Sequence, residues 1–186
     1  MNSVTIQDIL SLSRAQNGDA YSHAVDAWLE TPQCLIESLE VLKSSTNLTD
    51  RRLAVVSFNR SVSKFWCSIP STDSESSKQI LFDLMLDPNE NIFIFGSLAE
   101  IIGKIAVIEF PIVWSSFFEE MSVQQDNSIV CIGAKLSILR WYFKEVGNSH
   151  DIREAIEDEL YLIDQTLSIA CRCSDIDVLV CAMKLA

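Results

Sequence analysis

The chain has 186 residues, of which 48% are apolar and only 5 are glycine and 4 proline. This composition supplies a substantial core and argues against a fold rich in tight turns. The net charge of −12 argues against direct binding to nucleic acid or to an anionic membrane surface, and it suits a basic partner unless the acidity serves solubility alone.

Apolar residues recur at helical spacing from one end of the chain to the other, and no alternating strand pattern competes with them. The polar stretch SIPSTDSESS at 68–77 is predicted to be a loop. The helices predicted in chain order cover residues 5–14, 19–30, 33–43, 50–66, 78–86, 89–109, 111–122, 126–147 and 151–168, with the start of one more at 175–186.

The corner at 108–121 is the most informative segment of this series. Pro111 cannot continue the preceding helix but suits the first turn of a new one, because a residue in a first turn does not need its N–H. Four large apolar residues then fall on one face of that new helix, Trp114, Phe117, Phe118 and Met121. The apolar stretch at 92–114 is predicted to be a buried helix and not a membrane span, since charged residues interrupt it at short intervals.

The spacing of the long helices indicates a repeat. They are predicted to open near Asp50, Asn89 and Asp126, at intervals of 39 and 37 residues, and each is followed by a shorter or more acidic helix. A helix pair that repeats about every 40 residues has the HEAT-type period. The sequence therefore predicts an all-α fold, a right-handed HEAT-repeat α-solenoid of antiparallel helix pairs, with a globular helical bundle as the alternative. We expect a single solenoid over 1–186 with approximate repeats at 5–45, 48–87, 89–123 and 126–170 and the start of a further repeat at 175–186.

At the corner, the chain resembles the amino-terminal part of the importin-β (karyopherin) family of nuclear transport receptors. A long helix ends in the Ile-Ala pair at 105–106, and Phe-Pro-Ile-Val-Trp at 110–114 matches the aromatic-Pro-x-x-Trp turn of that family's third repeat. The proline that usually follows the tryptophan is replaced by Ser-Ser at 115–116. This departure leaves the subfamily, the cargo and the direction of transport open.

Two further segments are similar to the same family. Residues 19–28, followed by Pro32 and 35–42, resemble its first repeat, in which a helix that ends near a tryptophan precedes a leucine-rich one. Residues 50–66 resemble its second long helix, although the lysine-rich ending expected before the following loop is missing. The resemblance spans about 5–170, and because members of the family are several times longer, it implies an amino-terminal fragment or an unusually short relative.

The resemblance implies a nuclear transport receptor that binds the small GTPase Ran in its GTP form, nucleoporins with phenylalanine-glycine repeats, and protein cargo. It also implies a location in the cytoplasm, the nucleus and the nuclear envelope. In that family, the second helix of each repeat lines a concave side that binds Ran. The acidic residues at such positions, for which ordinary surface charge is the alternative, are Glu37, Glu40, Asp83, Glu119, Glu120, Glu154, Glu157 and Asp158. The residues expected to line nucleoporin pockets on the convex side, for which core packing is the alternative, are Phe58, Phe93 and Phe95.

The cysteines and histidines indicate neither a metal site nor a disulfide framework. None of the 6 cysteines forms a Cys-x-x-Cys pair, and the sequence has only 2 histidines, so no metal is expected. Cys34, Cys67 and Cys131 lie among apolar residues and are predicted to be small core side chains. Reduced thiols are typical of the cytosol and the nucleus, and the chain does not begin with the pattern of a signal peptide.

No catalytic constellation is visible, so we expect a binding protein and not an enzyme. His23 and His150 are expected to be solvated, and the chain has no glycine-rich phosphate loop, so no cofactor is expected. The acidic run at 151–164 has helical spacing and not that of a calcium loop, which leaves a solvated helix face or a surface for a basic partner. The alternative function is a HEAT-repeat scaffold of another cytosolic complex, which shares the fold but not the partner.

Overall fold

The computed structural model describes residues 4–15, 18–121, 128–146 and 160–172. Every regular element within these ranges is a helix, which confirms the predicted all-α class. In chain order the helices are α1 (Ile6–Arg14), α2 (Gly18–Leu29), α3 (Gln33–Ser44), α4 (Leu48–Phe65), a 3₁₀ turn (Trp66–Ser68), α5 (Ser71–Met85), α6 (Ile92–Glu109), α7 (Phe117–Met121), α8 (Ile129–Val146) and α9 (Leu160–Ala170).

The chain divides into two compact units. The first comprises the described residues up to Leu84 together with Asn91–Ile101, and the second comprises Met85–Glu90 and the described residues from Ile102 onward. None of the described helices combines the length and the apolar character that a membrane span requires. The predicted helix start at 175–186 lies outside the described residues, as does most of the acidic run at 151–164.

Side-chain caps set the first residues of two helices in the first unit. The Thr5 hydroxyl accepts a hydrogen bond from the Asp8 amide, and the Asp8 carboxylate accepts one from the Thr5 amide at 3.0 Å, so this capping box satisfies two amide donors at the start of α1. The hydrogen bonds from Thr5 also lower the pKa of Asp8. The Asn47 side chain accepts from the amides of Thr49 and Asp50, at 2.8 and 3.3 Å. Because Asn47 is the cap, α4 begins at Leu48, slightly before the predicted start.

Helices α3 and α4 form an antiparallel pair. The Cys34 thiol at the beginning of α3 donates to the Ser61 hydroxyl near the end of α4, at 3.1 Å. A connection of only residues 45–47 joins the two helices. Burial raises the pKa of the Cys34 thiol, while its hydrogen bond with Ser61 acts in the opposite direction. The apolar side chains of this pair that are buried include Leu35, Leu39, Leu42, Val55, Phe58 and Val62.

The prediction of a loop at 68–77 is wrong, because α5 already begins at Ser71. The Pro70 carbonyl accepts hydrogen bonds from the amides of Asp73 and Ser74, at 2.9 and 3.0 Å, which closes the first turn. The Ser74 hydroxyl donates to the Ser71 carbonyl at 2.9 Å, so its side chain is satisfied within the helix. Serine is common in loops, so the polar composition indicated a loop. Here the serine hydroxyls donate to carbonyls of their own helix, which lets these small polar residues form part of it.

The predicted start of a helix at Pro111 is also wrong, since α7 covers only Phe117–Met121. The amides of Val113 and Trp114 both donate to the Glu109 carbonyl, at 2.7 and 3.1 Å, so the chain folds back on the end of α6 in consecutive turns. The predicted buried face is nevertheless present. Its members are buried: the exposed fraction is 5% for Trp114, 0% for Phe117, 1% for Phe118 and 2% for Met121.

An aromatic cluster forms the core of the second unit. The Phe110 and Phe118 rings meet edge to face with centroids 5.0 Å apart, and the Tyr142 ring lies 5.0 Å from that of Phe117 and 5.4 Å from that of Phe118. Aromatic pairs of this geometry contribute about 0.5–1.5 kcal/mol each beyond the burial of their area. The cluster thus explains why the corner needs its aromatic residues, although they do not share one continuous helix.

We expect the Tyr142→Phe substitution to raise the free energy of unfolding by about 1 kcal/mol. The Tyr142 hydroxyl is buried without a hydrogen-bond partner among the described residues, and burial raises the pKa of Tyr142, so the group stays protonated and uncompensated. Urea denaturation of the two proteins measures the difference. The control is Tyr161→Phe, which removes a hydroxyl from a side chain that is 65% exposed and should change little. A clear loss of stability in Tyr142→Phe alone would contradict this prediction.

Candidate protein-binding surfaces

Glu37 connects the first three helices. Its Oε2 accepts a hydrogen bond from the Trp28 indole nitrogen on α2 at 2.9 Å and another from the Ile6 amide at the start of α1 at 2.7 Å. Trp28 is fully buried and Glu37 is half-buried. The carboxylate is therefore engaged in holding α1 and α2 on α3, which sequence spacing did not indicate.

Two other acidic positions of the first unit lie at its surface. Glu40 is exposed on α3, with its Oε1 3.8 Å from the Lys43 ammonium. Asp83 is exposed on α5 and accepts a hydrogen bond from the Gln79 amide group at 2.8 Å. Both contacts are within one helix and leave the carboxylates accessible, so a basic partner could reach either of them.

Glu119 and Glu120 are exposed in the first turn of α7, in the second unit. The Ser116 hydroxyl donates to a carboxylate oxygen of Glu120 just before the helix begins. Acidic side chains at such a position are favoured by the partial positive charge of a helix start, which is a structural reason for their presence. Glu154, Glu157 and Asp158 lie outside the described residues.

The three phenylalanines differ in exposure. Phe58 is 1% exposed and its ring lies 6.4 Å from that of Trp66, which fits the alternative that Phe58 packs in the core and does not line a nucleoporin pocket. Phe95 is partly exposed. Phe93 is 46% exposed at the beginning of α6, so its side chain presents the largest free surface of the three.

Phe93 also has a partner that the sequence did not reveal. The Arg52 guanidinium carbon lies 5.5 Å from the centroid of the Phe93 ring, a distance typical of a cation–π contact. The Arg51-Arg52 pair is visible in the sequence at the start of α4, but its partner on α6 lies far along the chain. Only the packing of the two helices brings these side chains together.

The described residues contain no group of three His, Cys, Asp or Glu side chains that could hold a metal ion. His23 is exposed, as expected, whereas His150 lies outside the described ranges. Cys34 and Cys131 are buried, as predicted. The prediction of a core position for Cys67 is wrong, because Trp66 takes the buried position of the 3₁₀ turn and Cys67 faces outward.

The chain is similar to one curated protein over about half of its length. It is 30% identical over 101 residues to the importin beta-like protein KAP120 of Saccharomyces cerevisiae. The match covers 52% of this chain and 10% of KAP120, so the chain spans about a tenth of the length of that relative. No protein-family model matches the chain, and no solved structure matches it.

Proposed function

We propose that this chain is part of a karyopherin-type nuclear transport receptor, which binds Ran in its GTP form and nucleoporins and carries protein cargo between cytoplasm and nucleus. The observation that carries the proposal is the 30% identity over 101 residues with an importin beta-like protein. The exposed carboxylates Glu40, Asp83, Glu119 and Glu120 fit a chain that binds a basic partner.

The helices support a HEAT-repeat solenoid as the architecture of this receptor. Three helices of 18 residues each, α4, α6 and α8, begin at Leu48, Ile92 and Ile129, so the intervals between their starts are 44 and 37 residues. The HEAT and armadillo repeats have periods of about 40–47 residues, so the first interval lies within this range and the second lies slightly below it. Helix α3 ends one proposed pair and α4 begins the next, and their antiparallel packing is the kind of contact through which neighbouring repeats stack.

The exposed carboxylates are the proposed contacts for Ran. Glu40 and Asp83 in the first unit, and Glu119 and Glu120 in the second, occupy the second helices of the proposed pairs. Charges at the rim of an interface chiefly steer association, so they act on the association rate and on its dependence on salt. Glu37 would contribute in another way, by holding the helix on which Glu40 lies.

We expect Glu40→Lys and Asp83→Lys each to slow association with GTP-loaded Ran about threefold at low salt, and less at high salt. Stopped-flow or surface-based kinetics measure the rate. The matched control is Asp26→Lys, which makes the same charge change at an exposed position of α2, a first helix of its proposed pair. Equal slowing in all three variants would show an effect of net charge alone and would contradict these contacts.

A pull-down with Ran loaded with GTP or with GDP tests the proposed function. The expected result is retention of the GTP form and little retention of the GDP form. Retention that does not depend on the nucleotide, or no retention, would contradict the transport function and favour the alternative of a HEAT-repeat scaffold in another complex.

Phe93 is the proposed nucleoporin contact with the largest exposed surface among the described candidates.

A further inference from the structure

Four side chains of the first unit lie in the first turns of α4 and α6, and we term them the α4–α6 patch: Leu48, Arg52, Ile92 and Phe93. Leu48 and Arg52 lie one turn apart on the same face of α4. Phe93 of α6 contacts Arg52, and Ile92 precedes Phe93. Three large apolar side chains of the patch are exposed, Leu48 to 40%, Phe93 to 46% and Ile92 to 81%.

The charge of the patch is that of Arg52, which forms no ion pair within the part of the chain that the structure describes. Arg14 pairs with Asp50 at 2.7 Å, but no carboxylate among the described residues lies within ion-pair distance of Arg52. The Phe93 ring contacts the Arg52 guanidinium while the arginine side chain stays exposed. A guanidinium has a planar N–H edge that suits two parallel hydrogen bonds to a carboxylate.

The surface beside this guanidinium has room for an apolar side chain. Gly96 lies one turn beyond Ile92 on α6, and a Cβ atom added at Gly96 would meet nothing within 4 Å. The bare backbone at Gly96 therefore borders open space next to the exposed Ile92 and Phe93 side chains. Exposed apolar side chains that adjoin a polar group are typical of surfaces that bind a partner.

From these observations we propose that the α4–α6 patch binds an acidic peptide segment in which a carboxylate adjoins a large apolar side chain. The carboxylate pairs with Arg52, and the apolar side chain packs on Ile92 and Phe93 beside Gly96. Because the whole chain carries a charge of −12, it repels an acidic segment at long range, and binding depends on this guanidinium. The inference does not rest on binding to Ran or to nucleoporins.

The test uses the full chain and a fluorescent peptide with the core Asp-Phe-Asp-Phe, whose binding is followed by anisotropy. The expected result is saturable binding that Arg52→Gln weakens about tenfold or more. Arg52→Lys keeps the charge but loses the planar fork, so it should also weaken binding by several-fold. Arg60→Gln is the matched control, because Arg60 is an exposed arginine of α4 about two turns further along the helix.

Two further peptides separate this proposal from a plain apolar surface. The same peptide with asparagine in place of aspartate, and a Gly-Phe-Gly-Phe peptide without carboxylates, should both bind about tenfold more weakly and should not respond to Arg52→Gln. The proposal is overturned if either peptide binds as tightly as the acidic one, if Arg60→Gln weakens binding as much as Arg52→Gln, or if the acidic peptide shows no saturable binding. Circular dichroism spectra that match the unsubstituted chain establish that each variant is folded.

Discussion

The Gly103→Ala substitution is expected to lower the free energy of unfolding by about 1–2 kcal/mol, which is a large effect for the addition of one methyl group. A Cβ atom at Gly103 of α6 would lie 2.8 Å from the Trp141 Cβ and 2.9 Å from the Tyr142 amide nitrogen of α8. Backbone and Cβ atoms cannot move aside by a change of rotamer, so the two helices must separate. Overpacking of this kind costs about 1–3 kcal/mol, and the better helix propensity of alanine offsets only about 1 kcal/mol.

Gly96→Ala is the matched control, because it makes the same change in the same helix where the added Cβ meets nothing within 4 Å. There the helix propensity acts alone, and we expect a gain of about 0.5–1 kcal/mol. Urea denaturation of both variants measures the change in the free energy of unfolding, which should be negative for Gly103→Ala and positive for Gly96→Ala. If Gly103→Ala were as stable as Gly96→Ala, the close approach of α6 and α8 would be wrong.

The second large effect is expected from Glu37→Ala, which should lower the free energy of unfolding by about 2–3 kcal/mol. The substitution leaves the indole N–H of the buried Trp28 and the first-turn amide of Ile6 without their shared acceptor. Unmet donors at a buried side chain and at a helix start both lose their compensation for desolvation. Denaturant unfolding measures the loss, and hydrogen exchange should show weaker protection in α1.

Two variants separate these hydrogen bonds from simple loss of packing. Glu37→Gln keeps an acceptor oxygen and should lose about half as much stability, since the bonds are no longer charge-assisted. Glu40→Ala truncates the neighbouring exposed glutamate of the same helix and should cost less than about 0.5 kcal/mol. Equal losses in Glu37→Ala and Glu40→Ala would contradict the role of Glu37.

The helices themselves follow from local signals that can be read along the chain. Apolar spacing predicts α4, α6 and α8, although the Asn47 cap makes α4 begin at Leu48 and not near Asp50 as predicted. These signals suffice because periodicity and capping depend on residues within one or two turns. The same reasoning failed at the start of α5, because its serine-rich first turns have the composition of a loop. The structure shows instead that the Ser74 hydroxyl donates to the Ser71 carbonyl within the helix.

The features that depend on distant packing could not be predicted in this way. Glu37 and Glu40 are equivalent acidic positions in the sequence, yet only Glu37 meets Trp28 and Ile6, because the relative rotation of α1, α2 and α3 decides it. The contact of Arg52 with Phe93 and the close approach at Gly103 likewise require the positions of two helices. Hydrophobic spacing gives the face that is buried, but not the partner against which it is buried.

We propose that this chain acts as part of a karyopherin-type receptor, and nucleotide-dependent affinity for Ran tests this proposal most directly. The measurement is an equilibrium titration of the full chain with Ran loaded with a non-hydrolysable GTP analogue and, in parallel, with GDP. We predict a dissociation constant at least about 100-fold lower for the GTP form. This ratio corresponds to a difference of about 2.7 kcal/mol in binding free energy between the two nucleotide forms of Ran. Equal affinities for the two forms, or no binding to either, would contradict the claim.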